Sequence, residues 1–403
     1  MNQALQGIKV ADFSWIGVGP WTVRFLADHG AEVIHVESTT RPDMLRLTPP
    51  FKDRIAGLNR NAYQAKFNVN KYGITLNLSH PRGIEIAKKL VAWADIVAES
   101  FRPGQMERWG LGYEEIRKIK PNIIMARLSA TGQTGPYSKQ PGVGAQLVSL
   151  VGFTYLAGWP DKSPSGPYGA YTDTPPPRFA AAAIIAALDY RRRTGKGQCL
   201  DLCQFEVGMH FLAPVVMDYM ANHHTATRRG NFCPYACPHG AYPCRGEDCW
   251  CVIAVSTDAH WHSLCHCLGS PLWSRDERFS TLLGRKSNED ELDTLVATAT
   301  VEFTSEELMN KLQQSGVPAG VVEKASDLYS DPQLKHRGHF WAMEHPELGE
   351  YHPDGPAFKL SKTPAQLRLP PPVMGRDNYY VYTEILGLSG EELAELMAER
   401  VLD

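Results

Sequence analysis

What this chain of 403 residues lacks narrows its function before any motif is considered. It has no basic surplus: Lys and Arg number 41 against 44 for Asp and Glu, a net charge of −3, so a surface that grips nucleic acid through its phosphates is not expected. No run of 18 uninterrupted apolar residues occurs, which leaves no candidate membrane-spanning helix. The opening residues carry no basic stretch leading into an apolar one, so a cytoplasmic location is expected. Cysteine is missing from the first 198 positions; all nine lie between 199 and 267, seven of them from 233 to 267. An odd number confined to one third of an unsecreted chain argues against a disulfide framework. Internal repeats are absent too.

What is present reads as alternating strand and helix. Apolar strand signals at 8–13, 32–37, 74–78, 95–99 and 123–129 are separated by helical patterns. One of these is at 20–29, closed by Gly30, and another follows Ser79, a candidate cap, with Pro81 in its first turn. This order predicts an α/β fold, a parallel sheet with helices on both faces. A strongly apolar helix is predicted at 179–193, a strand near 198–202 and a long helix over 206–222. Composition then shifts. A hairpin at 241–244 and 249–255, with helices near 258–268 and 288–314, reads as a smaller α+β unit. Beyond it lie a turn at Ser330-Asp331-Pro332, extended pairs over 339–359 and a final helix at 390–400. The expected organisation is a large domain at 1–224, the small domain at 225–325 and a segment at 326–403.

Three features could carry chemistry. Gly17 and Gly19 follow the first strand and open a helix, with Glu37 ending the second strand 20 residues after Gly17, the spacing of a dinucleotide fingerprint. The third glycine is replaced by Thr22 beside Trp21, so the same residues equally describe a tight turn of any α/β fold, or a site for another nucleotide-bearing ligand. Asp173 precedes Pro175-Pro176-Pro177 and the apolar helix. Thr174 can cap that helix, which would set the carboxylate near a positive helix end, favour its ionised form and suit it as nucleophile or base; a turn or capping role is the plain alternative. Cys233, Cys237, Cys249, Cys251, Cys265 and Cys267, with His239, His260, His262 and His266, offer zinc ligand types. No pair has the two-residue spacing of a zinc site, so these cysteines are expected to be core residues, with no metal.

Taken in order, a set of short segments resembles the class III coenzyme A transferase family. They include Gly7-Ile8-Lys9-Val10-Ala11-Asp12-Phe13, Gly19-Pro20, 30–37 from Gly30 to Glu37, Asp43-Met44-Leu45-Arg46 and Asn68-Val69-Asn70-Lys71. Further along come Phe101-Arg102-Pro103-Gly104, Leu111-Gly112-Tyr113, Gly132-Gln133-Thr134-Gly135-Pro136 and Thr194-Gly195-Lys196-Gly197-Gln198. Gly316-Val317-Pro318-Ala319, Asp331-Pro332-Gln333-Leu334 and Gly387-Leu388-Ser389 complete a resemblance that spans nearly the whole chain. The resemblance implies a Rossmann-like large domain built from the N-terminal half plus the C-terminal tail, a smaller domain between them, and two chains interlocked as a dimer.

It also implies roles. Asp173 matches the family's catalytic aspartate, whose carboxylate attacks the donor thioester to give an acyl-aspartyl anhydride and free CoA thiolate, and which later, as an aspartyl-CoA thioester, hands CoA to the new acid. Ile16, Gly17, Val18, Leu76, Ser100, Phe101, Arg108 and Trp109 match coenzyme A contacts. Coenzyme A thioester is thus a substrate, with no tightly bound cofactor, and the assembly is a homodimer or a heterodimer with a related subunit. Gly17 stands where formyl-CoA and oxalate enzymes carry Gln, and Ser38 where they carry Arg, with Arg41 as a replacement. The segment 229–244, including Arg229, Asn231, Pro234, Pro238 and Tyr242, is similar to members handling arylsuccinates, and Trp15, Tyr155, Trp159 and Tyr171 are candidates to line such a pocket. The racemase branch uses a His where this chain has Gly142-Val143-Gly144, which disfavours the alternative of an acyl-CoA racemase or isomerase. A non-catalytic CoA-binding subunit is the other alternative.

Overall fold

The computed structural model describes residues 3–142 and 144–402, so the central residue of Gly142-Val143-Gly144 lies outside the described residues. Six short strands form one sheet: β1 (Lys9–Asp12), β2 (Glu32–Glu37), β3 (Tyr72–Thr75), β4 (Ile96–Glu99), β5 (Ile124–Ser129) and β6 (Cys199–Cys203). All neighbours are parallel and the order is β3-β2-β1-β4-β5-β6. β1, β2, β4 and β5, buried almost throughout, read as nearly continuous apolar runs, whereas edge strand β6 exposes Cys199 and Asp201. The chain first steps from β1 toward β3 and later from β4 toward β6. The loops after β1 and β4 therefore diverge and open a crevice at the strands' C-terminal ends.

Helices α1 (Val18–Asp28), α2 (Pro81–Trp93) and α3 (Pro176–Thr194) cover the sheet. Successive residues of one strand serve opposite faces. Val10 joins Val23, Leu26 and Ile184 on the side of α1 and α3, while Ala11 joins Ile86, Leu90 and Val91 on the side of α2. The tail is part of this second layer: Val381, Tyr382, Leu388, Leu393, Leu396 and Val401 share the α2 core. Each such fully buried aliphatic side chain stabilises the fold by about 1.5–3 kcal/mol.

Two compact units emerge. One comprises Met1–Phe153, Gly166–Thr225 and Gln333–Asp403, the other Thr154–Ser165 and Ala226–Pro332. Thr154–Ser165 groups with the smaller unit, for which the local pattern carries no signal. That unit has an antiparallel sheet of β7 (His239–Pro243), β8 (Trp250–Ala254) and β9 (Ala319–Val321). Its core gathers Cys237, Cys244, Cys251, Cys265 and Cys267 around Trp261, Phe279 and Leu308. All nine cysteines are free.

Several local expectations shift. His80, not Ser79, caps α2, its ring accepting from the Arg82 N–H at 3.3 Å. The helix expected over 206–222 is two helices, α4 (Gln204–His210) and α5 (Ala213–Asn222), because Pro214 has no N–H and its ring clashes with a helix continued through it. The 288–314 pattern likewise divides into Glu289–Thr300 and Ser305–Gln314, where Thr304 and Glu307 form a capping box that starts the second helix afresh.

Candidate active site

The turn after β1 is held from three directions. Ser100, one residue beyond β4, accepts from the Trp15 N–H at 2.9 Å and donates to the Trp15 carbonyl at 2.8 Å. The Trp15 indole donates to the Val36 carbonyl at 3.0 Å. Ile16 has φ of 63°, a left-handed backbone that costs a β-branched residue of order 1–3 kcal/mol. Its N–H donates to both oxygens of Asp43, at 3.1 and 3.0 Å. The same carboxylate accepts the Leu45 N–H at 3.0 Å, capping the short helix Met44–Leu47.

The glycines of the apparent dinucleotide fingerprint are used otherwise. A methyl group on Gly19 would fall 2.3 Å from the Ser14 Cβ and 3.2 Å from the Ser100 Cβ, so α1 can start this close to the strand ends only with glycine there. A methyl on Gly17 would stand 3.1 Å from one Asp173 oxygen, and one on Gly144 2.5 Å from the other. The Asp173 carboxylate is thus wedged between two bare stretches of backbone. The Thr172 hydroxyl, donating to the Gly144 carbonyl at 2.9 Å, ties the two segments together.

Asp173 is not stabilised in the way its sequence context suggests. It ends a single 3-10 turn, Tyr171–Asp173, and α3 begins with Pro175 at the cap position and no side-chain cap from Thr174. Pro175, Pro176 and Pro177 remove N–H groups that would otherwise bind an anion at that helix end. Burial alone pushes the carboxyl up to about 6, and no cation or donor among the described residues offsets it. The expected ionised-form preference is therefore corrected: desolvation raises the basicity of Asp173, yet leaves it roughly nine-tenths ionised at pH 7.

Behind the turn lies a buried set of charges. The Lys71 ammonium donates to Asp12 at 2.9 Å, Asn68 at 2.8 Å and the Pro20 carbonyl at 2.9 Å, while the His35 Nδ1 meets Asp12 at 3.0 Å. Burial opposes the Asp12 charge, but Lys71 and His35 outweigh it and hold the carboxyl below its ordinary range. Arg46 grips Glu37 through two bonds of 2.7 and 2.5 Å. Glu37, the would-be ribose acceptor of a dinucleotide site, is closed off by this pair. Burial, and then the neighbouring Glu37 charge, push Asp43 up to about 6 despite its two N–H donors. Among the described residues, His35, Glu37 and Asp43 bring ligand atoms within 4.8 Å of one another, but Arg46 and the backbone already occupy the two carboxylates.

The other expected contacts are dispersed. Phe101 packs edge-on between Trp15 and Trp109, each centroid 5.2 Å away. Arg108 is exposed and bonded to the Gln105 amide. The Ile16 side chain is half exposed, whereas Val18 packs with Leu128 and Ala180, and Leu76 is core. Ser38 is buried and Arg41 exposed. Tyr171 packs against Phe153 in the larger unit, and Trp159 against Phe232 and Gly230 in the smaller, where the Tyr155 ring faces Arg228. Two residues escaped the sequence reading as site residues. Asp43 shows only a cap-like spacing to the following helix, and Gly144 carried only the sign of a missing His.

Comparison with known proteins adds the following. The model of CoA-transferase family III matches residues 5–378. The chain is 34% identical over 398 residues to the succinyl-CoA–D-citramalate CoA-transferase of Chloroflexus aurantiacus, covering 99% of this chain and 98% of that protein. It is 31% identical over 400 residues to the succinyl-CoA:glutarate CoA-transferase of Mus musculus, covering 99% and 90%. A crystal structure of a CAIB/BAIF family protein from Brucella suis superposes with a TM-score of 0.88 at 31% identity, covering 96% of this chain and all of that one.

Proposed function

Because the chain belongs to CoA-transferase family III, we propose that it exchanges coenzyme A between succinyl-CoA and a short dicarboxylic acid with Asp173 as nucleophile. The observation that carries this is the Asp173 carboxylate lodged between Gly17 and Gly144, raised in basicity and without a counter-ion among the described residues to blunt it. Its oxygen attacks the thioester carbonyl, the C–S bond breaks, and an acyl-aspartyl anhydride and CoA thiolate result. The thiolate attacks the aspartyl carbonyl, releasing the donor acid and leaving an aspartyl-CoA thioester. The acceptor carboxylate repeats the sequence in reverse and leaves as its thioester. Every step exchanges one carboxylate or thiolate for another, so no proton donor or metal is required.

The opening turn of α1 flanks the carboxylate, and its first N–H groups have no intrahelical partner, which suits them to developing oxyanion charge. In this reading Ile16 and Gly17 line the thioester path, Phe101 and Trp109 form an apolar wall, Ser100 fixes the turn, and exposed Arg108 meets phosphate by exchanging its bond to the Gln105 amide. Val18 and Leu76 support these from the core. The acceptor class follows the relatives named for citramalate and glutarate. A bulky arylsuccinate is less well supported, since Trp15 is committed to Val36 and Phe101 and Tyr171 to Phe153.

Assembly of two chains, identical or related, is supported by apolar surface. Every residue of α5 is at least partly exposed, with Met217 at 66% and Met220 at 74%, and α3 exposes Phe179 and Ile185. No described helix is long and apolar enough to cross a membrane.

The test is succinyl-CoA with labelled glutarate, citramalate or benzylsuccinate. Label should enter the thioester pool with the aliphatic acids and fail to do so in Asp173→Ala. Transfer to benzylsuccinate alone would overturn the acceptor class, loss of α-hydrogen without label transfer would favour a racemase, and an unaffected Asp173→Ala would refute the nucleophile.

A further inference from the structure

The left-handed backbone at Ile16 needs a cause, and the contacts around it supply one. Ile16 precedes the glycine that faces Asp173, so its conformation determines where that stretch of backbone lies. Nothing in an isoleucine favours φ of 63°, and glycine, which would adopt it freely, is not the residue used. The conformation must be imposed from outside. The imposing group is Asp43, fully buried, with both oxygens on the Ile16 N–H.

Asp43 is itself immobile. Its backbone carbonyl accepts the Arg46 N–H at 2.9 Å, and its Oδ1 accepts the Leu45 N–H at 3.0 Å. Arg46 in turn is anchored on Glu37 at the end of β2, on the Asn59 amide oxygen at 2.8 Å and on the carbonyls of Leu58 at 3.0 Å and Pro372 at 3.2 Å. A continuous rigid path thus runs from the sheet through Arg46 and Asp43 to the turn. Among the described residues the hydrogen bonds of the Asp43 carboxylate go to backbone N–H groups, with Glu37 and His35 as its charged neighbours within 4.8 Å.

We propose that Asp43 is a positioning residue for the transfer reaction, clamping Ile16 in its left-handed form so that Gly17 holds its place against the Asp173 carboxylate. The inference rests on Asp173 being the nucleophile. Asp43 acts through a helix cap, Oδ1 to the Leu45 N–H, and a clamp on the Ile16 N–H that Oδ1 and Oδ2 share. Asn in its place keeps Oδ1 for Leu45 and for half of the clamp, but sets an NH2 where Oδ2 stood 3.0 Å from the Ile16 N–H, donor against donor. Ser keeps the cap and is too short for the clamp.

The experiment measures kcat, KM for acyl-CoA and thermal midpoint in the full chain for Asp43→Asn, Asp43→Ser, Ile16→Gly, the Ile16→Gly/Asp43→Asn double variant and Asp173→Asn. Both Asp43 variants should fold with little change in midpoint and lose about 10²-fold in kcat, the loss expected from a misplacement of about 1 Å, with KM changed far less. A residue that merely bound substrate would raise KM and spare kcat. Since glycine takes a positive φ without penalty, the double variant should lose less than the product of the two single losses. Unchanged kcat in the Asp43 variants, fully multiplicative losses, or failure of both Asp43 variants to fold would overturn the inference while Asp173→Asn remains inactive. An active Asp173→Asn would instead remove the nucleophile assignment, and the clamp would fall with it.

Discussion

A methyl group placed at Gly144 probes the wedge around Asp173 directly. The Gly144→Ala methyl would sit 2.5 Å from the Asp173 Oδ1, 2.7 Å from its Cγ and 2.5 Å from the Ala170 Cβ. Ordinary contact begins near 3.4 Å, so the carboxylate must retreat by about 0.9 Å. Retreat is open only toward bare Gly17, where a methyl would itself stand 3.1 Å from Oδ2, so the carboxylate is pushed out of its place. The displacement is close to the 1 Å that costs about 10²-fold when a reacting group is misplaced. At Gly17, by contrast, a methyl 3.1 Å from Oδ2 asks for a few tenths of an ångström, and Gly17→Ala should lose under about tenfold. Initial-rate measurements with saturating succinyl-CoA and glutarate, together with thermal midpoints to exclude unfolding, read the two losses. A Gly144→Ala enzyme as fast as wild type, or one faster than Gly17→Ala, would refute the assignment of these glycines as walls of the carboxylate site.

Three further outcomes follow from the electrostatics and packing. Asp173 is raised to about 6 by burial, so kcat/KM should fall on the acid side with an apparent pKa near 6, and a limb near 4 would contradict the burial argument. The folded pKa lies above the unfolded one, so the native state binds the extra proton between about pH 4 and 6 and stability falls as pH rises through that window. Asp173→Asn should therefore gain about 1–2 kcal/mol at pH 7 after allowance for solvent screening, read by urea denaturation; a loss would refute it. Arg46→Ala leaves Glu37 buried without its guanidinium partner and should cost about 3–5 kcal/mol, with a variant as stable as wild type as the contrary result. Chelators should leave transfer intact, because burial pushes the thiols of Cys251 and Cys265 up to about 11 and Cys237 up to about 12, against the thiolates a zinc site needs; stoichiometric zinc in the purified protein would overturn this.

The larger fold was legible because its signals are local. β2 was expected at 32–37 and occurs there, since an apolar run bounded by Gly30 and polar residues has few other uses. The breaks at Pro214 and Thr304 have local signals too, a missing N–H and a capping box, but apolar periodicity runs through both and masks them. The candidate site was legible only in part. Asp173 stands out beside its prolines, yet the same prolines that start a helix also remove its anion-binding N–H groups, and spacing alone does not say which effect governs the carboxylate. Glu37 looked like a ribose acceptor until Arg46, nine positions on, closed over it.

By itself, then, the sequence determined the alternation of strand and helix, the tight turn at Gly17 and Gly19, the gathering of seven of the nine cysteines in the smaller unit and the position of the candidate carboxylate. These depend on periodicity and on residues a few positions apart. Tertiary structure alone decided what surrounds that carboxylate: Gly17 from the first turn, Gly144 from the start of the helix Gly144–Val151, and a strained Ile16 held by Asp43. The physical reason is that desolvation and close approach are set by which distant segments cover a group, and no spacing along the chain records how near two such segments come.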